Sequence, residues 1–199
     1  VAAGTRRFRG EEAAALAFAR EALEAAQACG SVDLEVNTMT TLGTQLWYAG
    51  DPEGAVLVEE AVTLGIASNT GEFAARAINN RGVIAWTSWR LDEARSWFER
   101  LTDYCSGNEL EAWYMAGVVS GAFVAVEAGR WVEADADLET VWGQRTCYSS
   151  EIEVLTAAAT LRIRRGDPGA ADLAEGVFER VAMFEEPDAV ANACVMALQ

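Results

Sequence analysis

Five times along the chain an alanine follows a punctuation residue by five positions: Gly10/Ala15, Gly50/Ala55, Trp89/Ala94, Gly129/Ala134 and Gly166/Ala171. Successive pairs lie about 40 residues apart, the interval of stacked helical hairpins, and each opens an amphipathic run that follows another such run. In such an array one hairpin is too narrow to bury its own apolar face and is covered by the next. The recurrence therefore predicts an all-α solenoid of about nine helices.

Each unit has two parts. The first helices are expected to open near Asp33, Glu72, Glu109, Glu151 and Asp188, where a carboxylate complements the positive helix start. From Asp33 onward Val36, Met39, Leu42, Gly43, Leu46 and Tyr48 keep the helical period, with no strand-like alternation. The second helices follow the punctuation residue, twice through Gly-Asp-Pro (50–52 and 166–168), in which glycine ends one helix, aspartate caps the next and proline suits its first turn. The third proline, Pro187, also falls at a junction. Ala15, Ala55, Ala94, Ala134 and Ala171 are expected where paired helices cross closely. The units read as 1–30 (partial), 31–68, 69–106, 107–148, 149–185 and 186–199 (partial), in one domain spanning 1–199.

Composition narrows the class. Hydrophobic residues make up 51% of the 199, enough for a substantial core. The longest apolar run, Trp113 to Val126, is shorter than the about 20 residues a bilayer span needs. A formal charge of −16 repels phosphate backbones, so direct nucleic-acid contact by this segment is not expected. All 15 basic residues are arginine, a codon signature that points to a GC-rich bacterial genome. Val1 to Arg9 reads as the tail of a helix and Asp188 to Gln199 as the first helix of a further unit, so the chain is expected to be a piece of a longer cytoplasmic protein. Cys29, Cys105 and Cys147 share one repeat position, and adjacent layers at about 8–10 Å are too far apart for a disulfide; reduced, mostly buried thiols are expected.

Leu42-Gly43, Leu46, Gly50-Asp51 and Ala55, then Gly82, Ala94 and Phe98, then Gly129, Ala134 and Leu138 resemble the tetratricopeptide repeat, here in units longer than that motif and with Trp89 at one turn glycine. The strings Asn79-Asn80-Arg81-Gly82, Arg90-Leu91-Asp92-Glu93-Ala94 and Gly129-Arg130-Trp131-Val132-Glu133-Ala134 are similar to the long repeats of bacterial signalling ATPases, among them LuxR-type transcriptional regulators. The resemblance implies a right-handed superhelix acting as a regulatory or sensing segment. Its partners would be a protein or peptide, or neighbouring ATPase and DNA-binding modules of the same polypeptide. A stand-alone adaptor or peptide or small-molecule sensor, and the repeat segment of a nucleotide cyclase, are the alternatives. Open ends of a truncated array would also permit self-association.

Trp47 and Trp86 occupy one place, three residues before Gly50 and Trp89. In tetratricopeptide arrays the first helix lines the concave groove, so the resemblance places Trp47, Trp86 and Val126 along it, flanked by Asn37, Thr40, Thr44, Arg76, Asn79, Val83, Val119 and Phe123. Such a channel suits an extended peptide or a helix; packing of both tryptophans between repeats is the competing reading. Of a basic carboxylate clamp only Arg76 and Asn79 are present.

Catalysis is not expected. The chain has no histidine, which removes the commonest general base and metal ligand, and no nucleophile elbow or phosphate loop occurs. No cofactor or metal is expected either. Glu59-Glu60, Asp135/Asp137 and Glu151/Glu153 are spaced so that they do not face each other on a helix and read as solvated faces. Arg6, Arg7 and Arg9, like Arg162, Arg164 and Arg165, close first helices, where cations offset exposed carbonyls.

Overall fold

A computed structural model describes residues 12–142 and 148–181. Among them are nine α-helices and no strand: α1 (Glu12–Cys29), α2 (Val32–Tyr48), α3 (Glu53–Ala67), α4 (Glu72–Thr87), α5 (Leu91–Asn108), α6 (Glu111–Glu127), α7 (Trp131–Val141), α8 (Tyr148–Arg165) and α9 (Ala170–Val181). None is long and apolar enough to cross a membrane. The chain divides into two compact units, Val1–Trp113 and Tyr114–Gln199. In the first, each of α1 to α4 packs on the next and α2 also packs on α4. In the second, α8 packs on both α7 and α9.

One device ends most of these helices. The residue after the last turn adopts a left-handed conformation, and the next backbone N–H donates to the carbonyl five positions earlier, at 2.8–3.4 Å. This satisfies a carbonyl that the helix leaves without a partner. It recurs at Gly30, Gly50, Asn69, Trp89, Glu109, Gly129 and Gly166, all with positive φ. Four of the seven are glycine, which adopts this backbone freely; at Asn69, Trp89 and Glu109 a side chain is carried into it. Trp89, at φ 59°, thus stands in the glycine role that its place in the sequence predicts.

Glu109 departs from expectation. It closes α5 with φ 57°, and the acid in the first turn of α6 is Glu111. Glu151 lies inside α8, which opens at Tyr148. Pro187 and Asp188, like Arg6, Arg7 and Arg9, lie outside the described residues.

The alanine register holds at three of its five positions. Ala15, Ala94 and Ala134 are fully buried, whereas Ala55 is half-buried and Ala171 exposed. Both exceptions follow a Gly-Asp-Pro junction. At the first of them Gly54, buried against α2, takes the crossing position instead; at the second Ala170 is half-buried. At the first junction Asp51 Oδ1 accepts from the Glu53 N–H at 3.0 Å, and Pro52 occupies the N-cap of α3.

Close crossings explain two helix-interior glycines. A Cβ on Gly43 would stand 2.7 Å from the Gly54 carbonyl oxygen, and one on Gly82 would stand 2.7 Å from the Phe98 ring. Gly43 and Gly82 are separated by the 39-residue interval that also separates Asn37 from Arg76. Around these crossings the first unit buries Val36, Leu42, Val58, Val62, Ile78, Ile84, Phe98 and Leu101. Each such side chain contributes about 1.5–3 kcal/mol relative to exposure.

One buried charge joins three helices of this unit. Arg81 of α4, with 8% of its side chain exposed, pairs with Glu59 of α3 at 3.3 Å and Glu93 of α5 at 2.7 Å. Its guanidinium lies over the Trp97 ring, 5.1 Å from the centroid, and Arg100 takes a place 4.9 Å from the same centroid. Two carboxylates and a π face thereby offset the cost of burying the cation.

In the second unit Met115, Val119, Ala122, Ala125 and Val126 of α6 form a core with Ala134, Leu138 and Val141 of α7 and Val154, Ala157 and Leu161 of α8. The opposite face of α8 meets Val177 and Val181 of α9 through Ile152 and Ala159. Between these faces, buried Thr156 and Thr160 donate their hydroxyls to carbonyls four residues back, each at 2.7 Å. Arg164 donates to the Val126 carbonyl and to Glu127, at 3.3 and 3.2 Å, and Arg165 donates to Asp135 at 2.9 Å. These arginines neutralise helix ends and acids, as the cluster before Gly166 predicts, but Arg164 serves the end of α6 as well as lying at the end of its own helix.

Two substitutions test these points. Gly43→Ala should lower stability by about 2 kcal/mol, because the added methyl meets backbone that cannot rotate away; a urea midpoint that falls with an unchanged m-value reads this. Trp89→Gly should raise stability by about 0.5–1 kcal/mol through relief of the left-handed backbone, reduced by the extra freedom of glycine in the unfolded chain. The corresponding rise in Tm is about 2 °C, measurable by calorimetry.

Candidate interaction surface

The residues placed in the groove by resemblance belong to three first helices: α2, α4 and α6. On α2 a run of threonines supplies a polar row. Thr38, Thr40, Thr41 and Thr44 each donate a hydroxyl to the carbonyl four residues earlier, at 2.7–3.0 Å. That uses the donor and leaves oxygen lone pairs for a neighbour. Arg76 of α4 takes them: Nη1 donates to the Asn37 carbonyl (3.1 Å), Asn37 Oδ1 (2.7 Å) and Thr41 Oγ1 (3.2 Å), and Nη2 to Thr41 Oγ1 (3.2 Å). One step along, Asn80 Nδ2 donates to Thr44 Oγ1 at 3.1 Å. A hydrogen-bonded ladder thus joins α2 and α4 side by side.

All four of these Arg76 bonds go to neutral oxygens. Partial burial lowers the pKa of its guanidinium from the ordinary value, yet a guanidinium stays charged throughout the physiological range. The face therefore carries a fixed positive charge within a strongly acidic chain. Asn37, Thr44, Trp47, Arg76, Asn79, Val83 and Trp86 are all half-buried. Asn79 donates to Asn80 Oδ1 at 3.5 Å, while its own Oδ1 is buried without a hydrogen-bond partner among the described residues.

Three of the named residues are packing residues. Thr40 is fully buried and bonded to the Val36 carbonyl; Val119 and Val126 are 2% and 1% exposed within the core of the second unit. Three- and four-residue spacing alone does not distinguish the row that faces the neighbouring helix from the row that faces outward. Phe123 is half-buried against that same core.

Two features escape the sequence pattern. Arg81 sits inside the string Asn79–Gly82, but its burial follows from acids on two other helices. Trp89 is legible in sequence only as a missing glycine; in the structure it is also 72% exposed. In the second unit a cavity of about 220 Å³ lies between α7 and α8, lined by Asp135, Leu138, Glu139, Trp142, Ala158, Leu161 and Arg162. Asp135 is already engaged by Arg165. Among the described residues no group of three potential metal-ligating side chains gathers.

No family model matches the chain, and no curated protein matches it. Solved structures do. The chain is similar to the nearly identical TPR-like repeats of a kinesin light chain-type protein from Podosopora anserina, with 15% identity, a TM-score of 0.67 and coverage of 92% of this chain and 93% of that one. A single-substitution variant of the same protein matches at 14% identity and TM-score 0.68, covering 91% and 92%. BtubC (BKLC) from P. vanneervenii matches at 16% identity and TM-score 0.72, covering 91% of this chain and 81% of that one. The fold is that of TPR-like helical repeats.

The cysteines depart in part from the expectation of buried thiols. Cys105 is buried, and burial pushes its thiol up to about 11 from 9.0. Cys29 is exposed, its Sγ 3.1 Å from the Ala26 carbonyl; Cys147 lies outside the described residues. Near neutral pH, iodoacetamide followed by peptide mass mapping should label Cys29 rapidly and Cys105 only on unfolding. The folded pKa of Cys105 is raised, so its contribution to stability is complete below about pH 9 and is lost as pH rises towards 11. Cys105→Ala should flatten that part of the stability profile.

Proposed function

We propose that this chain is a non-catalytic protein-interaction segment and that the α2–α4 face is its recognition surface. Arg76 carries the reading. It is a pre-positioned guanidinium, held by Asn37 and Thr41 so that little side-chain freedom remains to be lost on binding, and its bonds are to neutral oxygens. An acidic or carbonyl-rich segment of a partner would meet it, with Trp47, Val83 and Trp86 supplying apolar contact at the same face. TPR-like repeats are suited to this task because stacking gives each layer an equivalent first helix on which different side chains can be displayed.

The strings around Asn79, Arg90 and Gly129 support a setting in a bacterial multidomain regulator of LuxR type. In that setting the segment would sit in the cytoplasm and bias a neighbouring ATPase or DNA-binding module by engaging it or an incoming partner. The domain order of the parent gene tests the setting: a phosphate-binding loop before these repeats and a helix-turn-helix after them are expected, and a cyclase domain would replace this reading.

For the surface itself, the flanking modules of the parent protein should be added in trans to the purified repeats. Arg76→Gln should weaken their binding about tenfold, the worth of one charge-assisted hydrogen bond in a partly buried site, with unchanged far-ultraviolet circular dichroism. Trp47→Ala with Trp86→Ala should do the same. Undiminished affinity in both variants rejects this face; collapse of helicity in the double variant assigns the tryptophans to packing.

A further inference from the structure

We propose that the edge of the first unit where α2 and α4 end is a second docking surface, which takes an arginine-bearing cationic segment of a partner protein with Trp89 as its stacking anchor. The proposal extends the interaction reading to a different surface and does not depend on Arg76.

Trp89 carries two penalties at one position. It occupies a left-handed backbone that Gly30, Gly50, Gly129 and Gly166 provide at the equivalent closures. It also leaves the largest aromatic side chain 72% exposed. Neither the fold nor the closure benefits, because glycine would end α4 with the same bond from Arg90 N–H to the Ala85 carbonyl at 3.0 Å. Sites at which backbone strain and an exposed aromatic coincide are places to look for recognition.

The surroundings specify the chemistry. The ladder that joins Asn37 to Arg76 and Thr44 to Asn80 sets α2 and α4 side by side in register. Trp47 and Tyr48, the latter 44% exposed, end α2, and Trp86 and Trp89 lie at the end of α4. The second helices α3 and α5 start after these ends, with Glu53, Asp92 and Glu93 in their first turns and Asp51 just before α3. Of these, Glu93 is already paired with Arg90 at 2.9 Å and with Arg81 at 2.7 Å. The edge is therefore aromatic and acidic. A guanidinium is the group that satisfies both features, stacking flat on an indole while its N–H groups reach carboxylates. The first unit contains its own instance of this chemistry, since Arg81 and Arg100 both approach the ring of Trp97, and Arg81 pairs with Glu59 and Glu93. Charge complementarity with a chain of net charge −16 favours the same occupant.

The test uses the full chain and a fluorescein-labelled octa-arginine peptide at about 150 mM salt, where exposed long-range attraction is largely screened. Binding by anisotropy should be about tenfold weaker for Trp89→Gly, while calorimetry shows Trp89→Gly at least as stable as the parent. Glu53→Gln with Asp92→Asn should weaken binding as well, and by more than Glu21→Gln with Glu24→Gln on α1. Arg76→Gln should leave octa-arginine binding unchanged, which separates this surface from the α2–α4 face. Equal affinity of parent and Trp89→Gly would overturn the proposal, as would a lower Tm for Trp89→Gly or equal losses from the two acid pairs. Sedimentation supplies the remaining arm: self-association abolished by Trp89→Gly would show that a second copy of the chain, not a cationic segment, covers the edge.

Discussion

The architecture depends on how its helices stop. A backbone that turns left-handed after each helix and returns an N–H to the carbonyl five residues back reverses the chain within a few residues. The next helix is thereby committed to lie antiparallel against the last. Seven such closures, at Gly30, Gly50, Asn69, Trp89, Glu109, Gly129 and Gly166, define the hairpins by local stereochemistry. Packing then selects the phase. Gly43 against Gly54, and Gly82 against Phe98, permit the close crossings from which the burial of Val58, Ile78 and Leu101 follows.

This regularity leaves the first helices of the first unit in equivalent positions, and the side chains they display differ sharply in what they do. Threonines that bond back to their own helix carry oxygens towards Arg76 and Asn80, which converts an interhelical seam into a polar ladder with a fixed cation. A few residues further on, the same register delivers tryptophans to the ends of α2 and α4. The two proposed surfaces of this unit would be a cationic one flanked by apolar side chains and an aromatic one flanked by carboxylates. Two such sites of opposite preference can fix both the position and the direction of an extended partner.

Buried charge is used structurally in this fold as well as for display. Arg81 spends its guanidinium on Glu59, Glu93 and the face of Trp97, so that α3, α4 and α5 share one electrostatic centre. Arg164 and Arg165 serve α6 and α7 in the second unit in a comparable way. The chain has arginine where other proteins mix lysine and arginine, and in these places the planar, multidonor head is what the geometry uses.

Among the described residues, helix class, most junctions and the hairpin interval were determined by the sequence alone, because they rest on short-range rules: an apolar period of three and four, glycine or its substitute after a helix, aspartate and proline before one. The same rules correctly placed Trp89 in a glycine role and Arg164 and Arg165 near a helix end. What only tertiary structure decided is phase and face. At the first Gly-Asp-Pro junction the crossing falls on Gly54 and not on Ala55, a shift that spacing from the glycine does not reveal. Thr40, Val119 and Val126 share the helical period of the groove residues, yet they point into neighbouring helices; the seam and the open face of a helix differ by less than one turn, and only the position of the next helix separates them.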